Sequence, residues 1–266
     1  MESFNYARPK TLQEALGLMA QHGERARPLA GGTDLLVQMR VGRRQPDWVI
    51  DVKEVPELNE LRLDAHSGLT LGAGVPCHAI YEDSEVIRVY PALNDVASLI
   101  GGTQIQGRAS IGGNLCNAAP SADGIPALIV MGVRCRIAGS GGEREVAVEE
   151  FCTAPGQNIL ALGELLVSLR FPPPVAASGA HYLRFIPRNE MDIAVAGVGA
   201  SVVLENGNFQ SARIALASVA PTPLFVNEAG EALVGQAVTA ENIQKAAQIA
   251  KDAARPITDM RGTIAY

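Results

Sequence analysis

Length, composition and charge place the chain among ordinary globular proteins. Its 266 residues are 47% hydrophobic and 19% charged, which provides material for a packed core and excludes a disordered, collagen-like or coiled-coil chain. The formal net charge of −6 disfavours binding to duplex nucleic acid, because phosphate contacts need clustered lysines and arginines. No stretch approaches the roughly 20 apolar residues of a membrane span. Four widely spaced cysteines without a CxxC pair predict neither a zinc site nor a disulfide framework. We therefore expect a reduced, cytoplasmic protein.

The first fifty residues alternate helices and strands around a glycine turn. Thr11 and Glu14 form a capping-box pattern at the start of the first helix, and Gly23 ends it. The predicted elements, in order, are a helix over 12–22, an apolar strand over 27–30, a helix over 35–40 and a strand over 47–52.

Shorter strands and a second glycine-rich segment follow from residue 58. The predicted elements are strands over 61–63 and 69–71, helices over 76–100 with a break at Pro91, a glycine-rich segment over 101–113, a turn-rich run over 114–123 and a strand over 165–171. Three prolines at 172–174 end that strand and mark the clearest boundary in the chain. Beyond them, alternating strands over 193–204 and 213–219 and a helix over 240–254 predict an antiparallel sheet with helical cover.

The glycine turn at 30–35 is the first candidate site. Glycines between a strand and a helix let the backbone approach a ligand closely, and the start of a helix offers unpaired N–H groups to an anion. The turn lacks the GK[ST] ending of a Walker loop and the GxGxxG spacing of a dinucleotide fold. Asp34 is expected to cap the helix, or to accept a hydrogen bond from a sugar hydroxyl or a loop amide. A plain structural turn is the simpler explanation of this segment taken alone.

The run over 109–123 is the second candidate site. It is rich in small hydroxyl and amide side chains and has almost no charge, so we expect a loop here and not a core helix. Ser110, Asn114 and Asn117, together with glycine N–H groups, would provide neutral donors to a polar, anionic ligand. A structural Ω-loop is the alternative. The two glycine-rich segments together predict a ligand held between two parts of the chain.

At this spacing the two segments also resemble a known family. AGGTDLL at 30–36 and SIGGNLCNAAPSADG at 110–124 resemble the FAD-binding subunits or domains of the xanthine dehydrogenase and carbon monoxide dehydrogenase family of molybdenum hydroxylases. Three further segments follow in family order, namely LLVSLRFPPP at 165–174, RNEMDIA at 188–194 and DMRG at 259–262.

The resemblance implies the fold and its division. The fold would be α+β, with the vanillyl-alcohol-oxidase or PCMH-type FAD-binding architecture of two α/β subdomains and a C-terminal antiparallel-sheet domain with helices. The implied boundaries are 1–57 for the first FAD-binding subdomain, 58–172 for the second and 173–266 for the C-terminal flavoprotein domain.

The resemblance also implies which residues bind FAD. Asn117 and Asp123 would reach ribityl or ribose hydroxyls, Arg184 would place a cation near the flavin pyrimidine, and Ile193 would cover one face of the ring. A cation there stabilises the anionic reduced flavin and raises its potential. No catalytic side chain and no metal ligand is expected. The expected cofactor-binding residues are Leu29, Ala30, Gly31, Gly32, Thr33, Asp34 and Leu35 in the first diphosphate loop, Gly101 and Gly102 near the adenosine, Ser110, Gly113 and Asn114 in the second loop, Asn117, Asp123, Leu166 through its backbone, Arg184 and Ile193.

The implied function is that of an FAD-carrying electron-transfer subunit. Electrons would come from [2Fe–2S] clusters on a small partner subunit, after hydroxylation on a large molybdopterin-binding subunit, and would leave to NAD+, a quinone or oxygen. The three chains usually form a doubled heterotrimer. FAD is the only cofactor expected, because the chain lacks the cysteine-bearing insert that carries a [4Fe–4S] cluster in some relatives.

Two alternatives are open at this point. A stand-alone FAD-dependent oxidoreductase of the same fold, acting directly on a small substrate, would need an acid or base over the flavin, and Tyr182 is its only candidate. A non-enzymatic assembly protein without cofactor is disfavoured, because both loops keep their glycines.

Overall fold

The computed structural model describes residues 1–188 and 191–266. Its N-terminal sheet has three parallel strands in the order β1–β3–β2. Parallel strands need a crossover connection, which α1 provides between β1 and β2 and α2 provides between β2 and β3. The helix predicted over 12–22 is observed, and the Thr11 hydroxyl accepts a hydrogen bond from the Glu14 N–H as its capping box predicts. The elements are β1 (Asn5–Ala7), α1 (Leu12–His22), β2 (Ala26–Leu29), α2 (Leu35–Arg40) and β3 (Trp48–Asp51).

The central sheet has five antiparallel strands in the order β4–β5–β10–β6–β7. All residues of its middle strand except Arg170 are buried, because helices cover one face and the N-terminal sheet with α1 covers the other. Pro91 begins a helix after a break, as predicted. The elements are β4 (Leu61–Asp64), β5 (Gly68–Gly72), α3 (Cys77–Glu82), α4 (Ser84–Val89), α5 (Pro91–Ala97), α6 (Thr103–Gln106), α7 (Ile111–Asn117), α8 (Gly124–Val130), β6 (Arg134–Gly139), β7 (Gly142–Ala147), a separate hairpin of β8 (Cys152–Ala154) and β9 (Gln157–Asn158), and β10 (Leu165–Phe171).

Helix α7 corrects the expectation of a loop over 109–123. Ile111 and Leu115 lie four residues apart and are fully buried, so the segment has a core-facing side after all. The Ser110 hydroxyl caps the helix by accepting a hydrogen bond from the Gly113 N–H at 3.0 Å. A Cβ atom on Gly112 would lie 2.5 Å from the Cα atom of Ala73. For residues 111–117 the prediction that this run cannot pack as a core helix is wrong, because small side chains let the helix approach that backbone closely. Residues 118–123 form turns, as expected.

The C-terminal sheet has four antiparallel strands in the order β11–β12–β13–β14. Its long hairpin turns at Asn206 and Gly207, both with positive φ. The strands predicted over 193–204 and 213–219 are observed at Ala196–Glu205 and Asn208–Ala217, so the second begins five residues earlier than predicted. One sheet face packs on α8, and an open apolar groove of about 920 Å³ lies between the other face and α10. Asn189 and Glu190 of the family-like segment 188–194 lie outside the described residues. The elements are β11 (Ser178–Phe185), β12 (Ala196–Glu205), β13 (Asn208–Ala217), β14 (Leu224–Phe225), α9 (Asn227–Glu231) and α10 (Ala240–Ala253).

Candidate FAD-binding cleft

Both glycine-rich segments line one cleft of about 610 Å³ between the N-terminal and central sheets. This volume is in the range of small-molecule and cofactor sites. The cleft is also lined by Ile100 and by the segment before and at the start of β10, residues 156–166 apart from Ile159. The predicted residues that line it are Leu29, Ala30, Gly31, Gly32, Thr33, Asp34, Leu35, Ser110, Gly113, Asn114, Asn117 and Leu166.

The loop between β2 and α2 presents a run of free donors. None of the backbone N–H groups of residues 30 to 35 donates a hydrogen bond to another residue that the structure describes. Gly32 adopts φ +79°, a left-handed conformation that lets the loop fold back toward α2. Consecutive N–H groups in such a loop form a concave site for an anion, and leaving them unpaired would cost free energy. The loop therefore fits the diphosphate of a dinucleotide.

Gly31 brings the two sides of the cleft into backbone contact. A Cβ atom added there would lie 2.0 Å from the carbonyl oxygen of Arg108 and 3.0 Å from the backbone nitrogen of Ala109. The Arg108 Nε atom lies 3.4 Å from the Gly31 carbonyl oxygen across the same junction. Only glycine fits at this position.

Asp34 precedes α2 but does not cap it. Its backbone is helical, with φ −95° and ψ −49°, and its side chain accepts no hydrogen bond from the helix, whereas an N-cap residue is usually extended. The N-cap prediction is therefore wrong. Although Asp34 keeps part of its surface exposed at the mouth of the cleft, desolvation by the surrounding protein raises the pKa of its carboxyl group. The other role expected of Asp34, as an acceptor for a sugar hydroxyl or a loop amide, stays a prediction.

Two asparagines on α7 are oriented with their amino groups free. The Asn114 Oδ1 atom accepts a hydrogen bond from the Gly124 N–H at 3.2 Å, and the Asn117 Oδ1 atom accepts one from the Gln38 Nε2 atom at 2.9 Å. Neither amino group finds an acceptor in the part of the chain that the structure describes. Because both residues line the cleft, they offer it neutral donors, the kind of group that an acidic protein needs to bind a diphosphate.

A second group of predicted residues lies outside the lining of the cleft, where β11 meets the start of α8. The Asp123 carboxylate accepts hydrogen bonds from the Tyr182 hydroxyl and from the Arg184 Nη1 atom, both at 2.7 Å. The Arg184 side chain is only 6% exposed, and its Nε atom has no partner among the described residues. Burial raises the pKa of Asp123, even though the hydrogen bond from Tyr182 and the charge of Arg184 act in the opposite direction.

The remaining predicted residues adjoin this group. Gly101 has φ +67°, and a Cβ atom on Gly102 would lie 3.0 Å from the sulfur of Met191. The Ile193 N–H donates to the Asp192 carboxylate, and the Asp192 carbonyl oxygen lies 3.5 Å from the Arg184 Nη1 atom. The structure thus divides the predicted site residues between the cleft and this junction, which meet near Ile100.

Several residues of the cleft carried no recognised sequence signal. Gln38 and Arg44 line it beside α2, and Arg27 lines it from β2. Gln38 lies four residues after Asp34, so helical spacing places both on one side of α2 and could have identified it. Residues 156–164 offered only scattered glycines in an otherwise featureless segment.

The described ranges contain no group of three or more His, Cys, Asp or Glu side chains suited to a metal ion. Within the same ranges, no helix has the length and apolar character needed to cross a bilayer.

Comparisons with known proteins cover almost the whole chain. Residues 2–174 match the family described as the FAD binding domain in molybdopterin dehydrogenase, and residues 181–266 match the CO dehydrogenase flavoprotein C-terminal domain. The xanthine dehydrogenase FAD-binding subunit of Escherichia coli O157:H7 is 36% identical over 221 residues, which cover 83% of this chain and 75% of the relative. The carbon monoxide dehydrogenase medium chain of Afipia carboxidovorans is 32% identical over 265 residues, covering 99% and 91%.

Solved structures agree with these matches. The carbon monoxide dehydrogenase of Hydrogenophaga pseudoflava superposes with a TM-score of 0.95 at 32% identity, over 100% of this chain and 92% of that one. Quinoline 2-oxidoreductase of Pseudomonas putida 86 superposes with a TM-score of 0.91 at 28% identity, over 99% and 91%. The comparisons confirm the resemblance, the α+β PCMH-type fold and FAD as the cofactor. The chain therefore belongs to the FAD-binding subunits of the molybdenum hydroxylase family and is an oxidoreductase subunit.

Proposed function

We propose that this chain passes electrons from the [2Fe–2S] clusters of a partner subunit to an external acceptor. The observation that carries the proposal is the convergence of both glycine-rich segments on one cleft, with the free N–H groups of residues 30 to 35 facing the donors of α7. Bound FAD supplies the redox chemistry that links one-electron clusters to an acceptor. The protein supplies binding, orientation and charge.

The residues of the proposed FAD site have different parts in this proposal. The N–H groups of the loop at 30–35 and the amino groups of Asn114 and Asn117 hold the diphosphate. For Asn117 this replaces the contact with ribityl or ribose hydroxyls that the resemblance implies, because its amide oxygen is engaged by Gln38. Arg184, kept in place by Asp123, sets a positive charge near the flavin pyrimidine, where it favours the anionic reduced form. Asp123, Ile193, Gly101, Gly102 and the backbone of Leu166 complete the proposed site.

The stand-alone oxidoreductase loses its candidate acid or base. The Tyr182 hydroxyl is buried and donates its hydrogen bond to Asp123. Burial and the Asp123 carboxylate both raise the pKa of Tyr182, so the phenol keeps its proton and donates it in the hydrogen bond to Asp123 at the junction with α8.

The proposal extends to the partner subunits and to the cellular compartment. We propose a large molybdopterin-binding subunit and a small [2Fe–2S] subunit, in a doubled heterotrimer, with NAD+, a quinone or oxygen as acceptor. The names of the relatives, medium chain and FAD-binding subunit, support an assembly of this kind. The four cysteines are all free, which supports a reducing, cytoplasmic location. The proposed division is 1–57, 58–172 and 173–266, and the triple proline at 172–174 supports the second of its two boundaries.

The first experiment is to purify the chain, alone and co-expressed with the two partner subunits, and to identify the flavin released by heat. We expect about one FAD per chain. Reduced FAD in the assembled enzyme should then be reoxidised by one of NAD+, a quinone or oxygen. A chain that takes up no FAD in either preparation would contradict the proposal. Reduction of the isolated flavoprotein by a small alcohol or enoyl compound would instead favour the stand-alone oxidoreductase.

A further inference from the structure

We propose that Gln38 is a positioning residue for FAD binding, because its carboxamide holds Asn117 on one side and Arg44 on the other. Both neighbours then present N–H donors to the anionic part of the cofactor. The inference rests on the proposed function, since it takes FAD as the occupant of the cleft. Gln38 itself need not touch the ligand.

The hydrogen bonds of Gln38 connect the two sides of the cleft. From α2, its Nε2 atom donates to the Asn117 Oδ1 atom on α7 at 2.9 Å, and its Oε1 atom accepts from the Arg44 Nε atom at 2.8 Å. Its backbone carbonyl oxygen also accepts from the N–H groups of Arg43 and Arg44, at 2.9 and 3.3 Å. The turn that carries Arg44 is therefore fixed by the same residue. Gln38, Arg44 and Asn117 all line the cleft.

This arrangement decides which end of the Asn117 carboxamide faces the ligand. Asn117 is the last residue of α7 and is followed by Ala118 in a left-handed conformation, so helical packing alone does not set its side-chain amide. With Oδ1 engaged by Gln38, the amino group remains available to a ligand. The opposite orientation would present a carbonyl oxygen to a diphosphate, which repels it.

Arg44 gains a similar role from the other end of Gln38. Its Nε atom is held, which leaves the two terminal nitrogens of the guanidinium for the cleft. Within the described ranges neither Arg44 nor Arg27 forms an ion pair, although both line the cleft. Desolvation and the nearby charge of Arg44 lower the pKa of Arg27, although the charge of Glu24 acts in the opposite direction. The Arg27 Nη1 atom donates to the carbonyl oxygens of Glu24 and Ala26. The terminal nitrogens of Arg44 have no partner among the described residues, and in a chain of net charge −6 they favour an anion.

The test removes the flavin from the full chain and then titrates FAD back. Quenching of flavin fluorescence measures the binding. Gln38→Leu should weaken FAD binding about three- to tenfold, the range of one or two net hydrogen bonds. Gln38→Glu removes the donor to Asn117 and adds a negative charge beside Arg44. A glutamate still accepts from Arg44 but partly cancels its charge, so it should weaken binding and also reduce the salt dependence of binding. Arg44→Met should reduce that salt dependence.

A double-mutant cycle shows whether Gln38 acts through Asn117. In an Asn117→Leu background, Gln38→Leu should weaken FAD binding less than it does in the wild-type chain, because the connection to Asn117 is already absent. Full additivity of the two substitutions would overturn the positioning role. Gln45→Leu is the matched control, since Gln45 is an exposed glutamine of the same segment that bonds to Glu2 outside the cleft, and it should bind FAD as the wild type does.

The outcomes separate this inference from the proposed function. Failure of the wild-type chain to rebind FAD would count against the proposed function. Wild-type affinity in both Gln38 variants, with normal wild-type binding, would overturn only the role of Gln38. Should Gln38→Leu fold poorly, as judged by thermal unfolding, the nearly isosteric and uncharged Gln38→Met and its cycle with Asn117→Leu still decide the question.

Discussion

Gly31 shows at the scale of one residue why the first loop requires glycine. Its backbone touches that of Arg108 across the cleft, and an added Cβ atom would lie 2.0 Å from the Arg108 carbonyl oxygen, a backbone atom in the turn after α6. We expect Gly31→Ala to force the two sides of the cleft apart, to destabilise the chain by about 1–3 kcal/mol and to lower its FAD content. Urea unfolding and the absorbance of bound flavin measure both effects.

Gly17 provides the matched control for this substitution. It lies in α1, is exposed, and an added Cβ atom would meet no other atom within 4 Å. Gly17→Ala should keep the full FAD content and raise stability by up to about 1 kcal/mol, because alanine favours a helix over glycine. Equal FAD contents in the Gly17 and Gly31 variants would show that the backbone contact at Gly31 is dispensable.

A second prediction at the residue scale concerns the reactivity of the cysteine thiols. Burial raises the pKa of Cys116, which lines the cleft, to about 12, and that of Cys152 to about 11. Only the thiolate is nucleophilic, so we expect negligible reaction of the native chain with a disulfide reagent at pH 8 over several minutes. In denaturant all four thiols should react. Rapid reaction of one thiol in the folded chain would identify an open, reactive cysteine and contradict this account.

At the scale of elements, the sequence predicts the helices and turns that interactions between neighbouring residues stabilise. The capping box and apolar spacing of α1 are contained within a dozen residues, and the turn at 30–35 is readable from its glycines. Helix α7 escaped prediction, because its stability comes from packing against Ala73, which is distant in sequence. The resemblance named Asp123 and Arg184 as FAD-site residues, yet their mutual ion pair spans 61 positions and has no sequence signature.

Asp51 at the end of β3 gives the N-terminal sheet a pH-dependent contribution. The carboxylate is 3% exposed and accepts hydrogen bonds from the Lys53 ammonium and from the hydroxyl of Tyr6 on β1. Burial alone would raise the pKa of Asp51, but these bonds outweigh it and lower the pKa below its ordinary 3.8. A lowered pKa means stability that is complete above pH 3.8 and is lost as the pH falls through the folded value.

We therefore expect Asp51→Asn to lower the free energy of unfolding at pH 7 by about 1–3 kcal/mol, because an amide replaces a carboxylate in charge-assisted bonds. The loss should shrink below pH 4, where the wild-type carboxylate itself becomes protonated. Urea unfolding from pH 3 to pH 7 measures the difference between the two chains. Tyr6→Phe removes one of the bonds and should give a smaller loss with the same pH trend. A difference that does not depend on pH would show that the charge of Asp51 contributes nothing.

At the scale of the whole molecule, α8 joins the C-terminal sheet to the rest. All of its residues are buried, and it packs against the core of the central region on one side and against β12 and β13 on the other. A Cβ atom on Gly199 would lie 2.8 Å from the Pro126 carbonyl oxygen, and the Ser201 hydroxyl donates to the Val130 carbonyl oxygen at 2.6 Å. The two family matches therefore fall on parts of the chain that share one packed helix.

Arg213 is the residue that tests whether this shared helix makes unfolding cooperative. Its Nε atom donates to the Ile129 carbonyl oxygen at 3.0 Å, its Nη2 atom pairs with Glu149 at 2.9 Å, and its guanidinium lies 4.3 Å from the ring centre of Phe225. Arg213→Met keeps the aliphatic stem and removes the hydrogen bond to the end of α8 and the ion pair with Glu149. We expect a loss of about 1–3 kcal/mol, mostly from the carbonyl and carboxylate left without a partner.

The single tryptophan makes the consequence measurable at a distance. Trp48 lies on β3 in the N-terminal sheet, stacked against His22 with ring centres 4.1 Å apart, so its fluorescence reports a region far in sequence from Arg213. If the chain unfolds as one unit, Arg213→Met should lower the midpoint seen by Trp48 and the midpoint seen by far-UV circular dichroism equally. Arg88→Met, on the exposed side of α4, should change the free energy of unfolding measured by either probe by less than about 0.5 kcal/mol. A Trp48 midpoint that stays at the wild-type value while circular dichroism resolves an earlier transition would show that the C-terminal sheet unfolds independently.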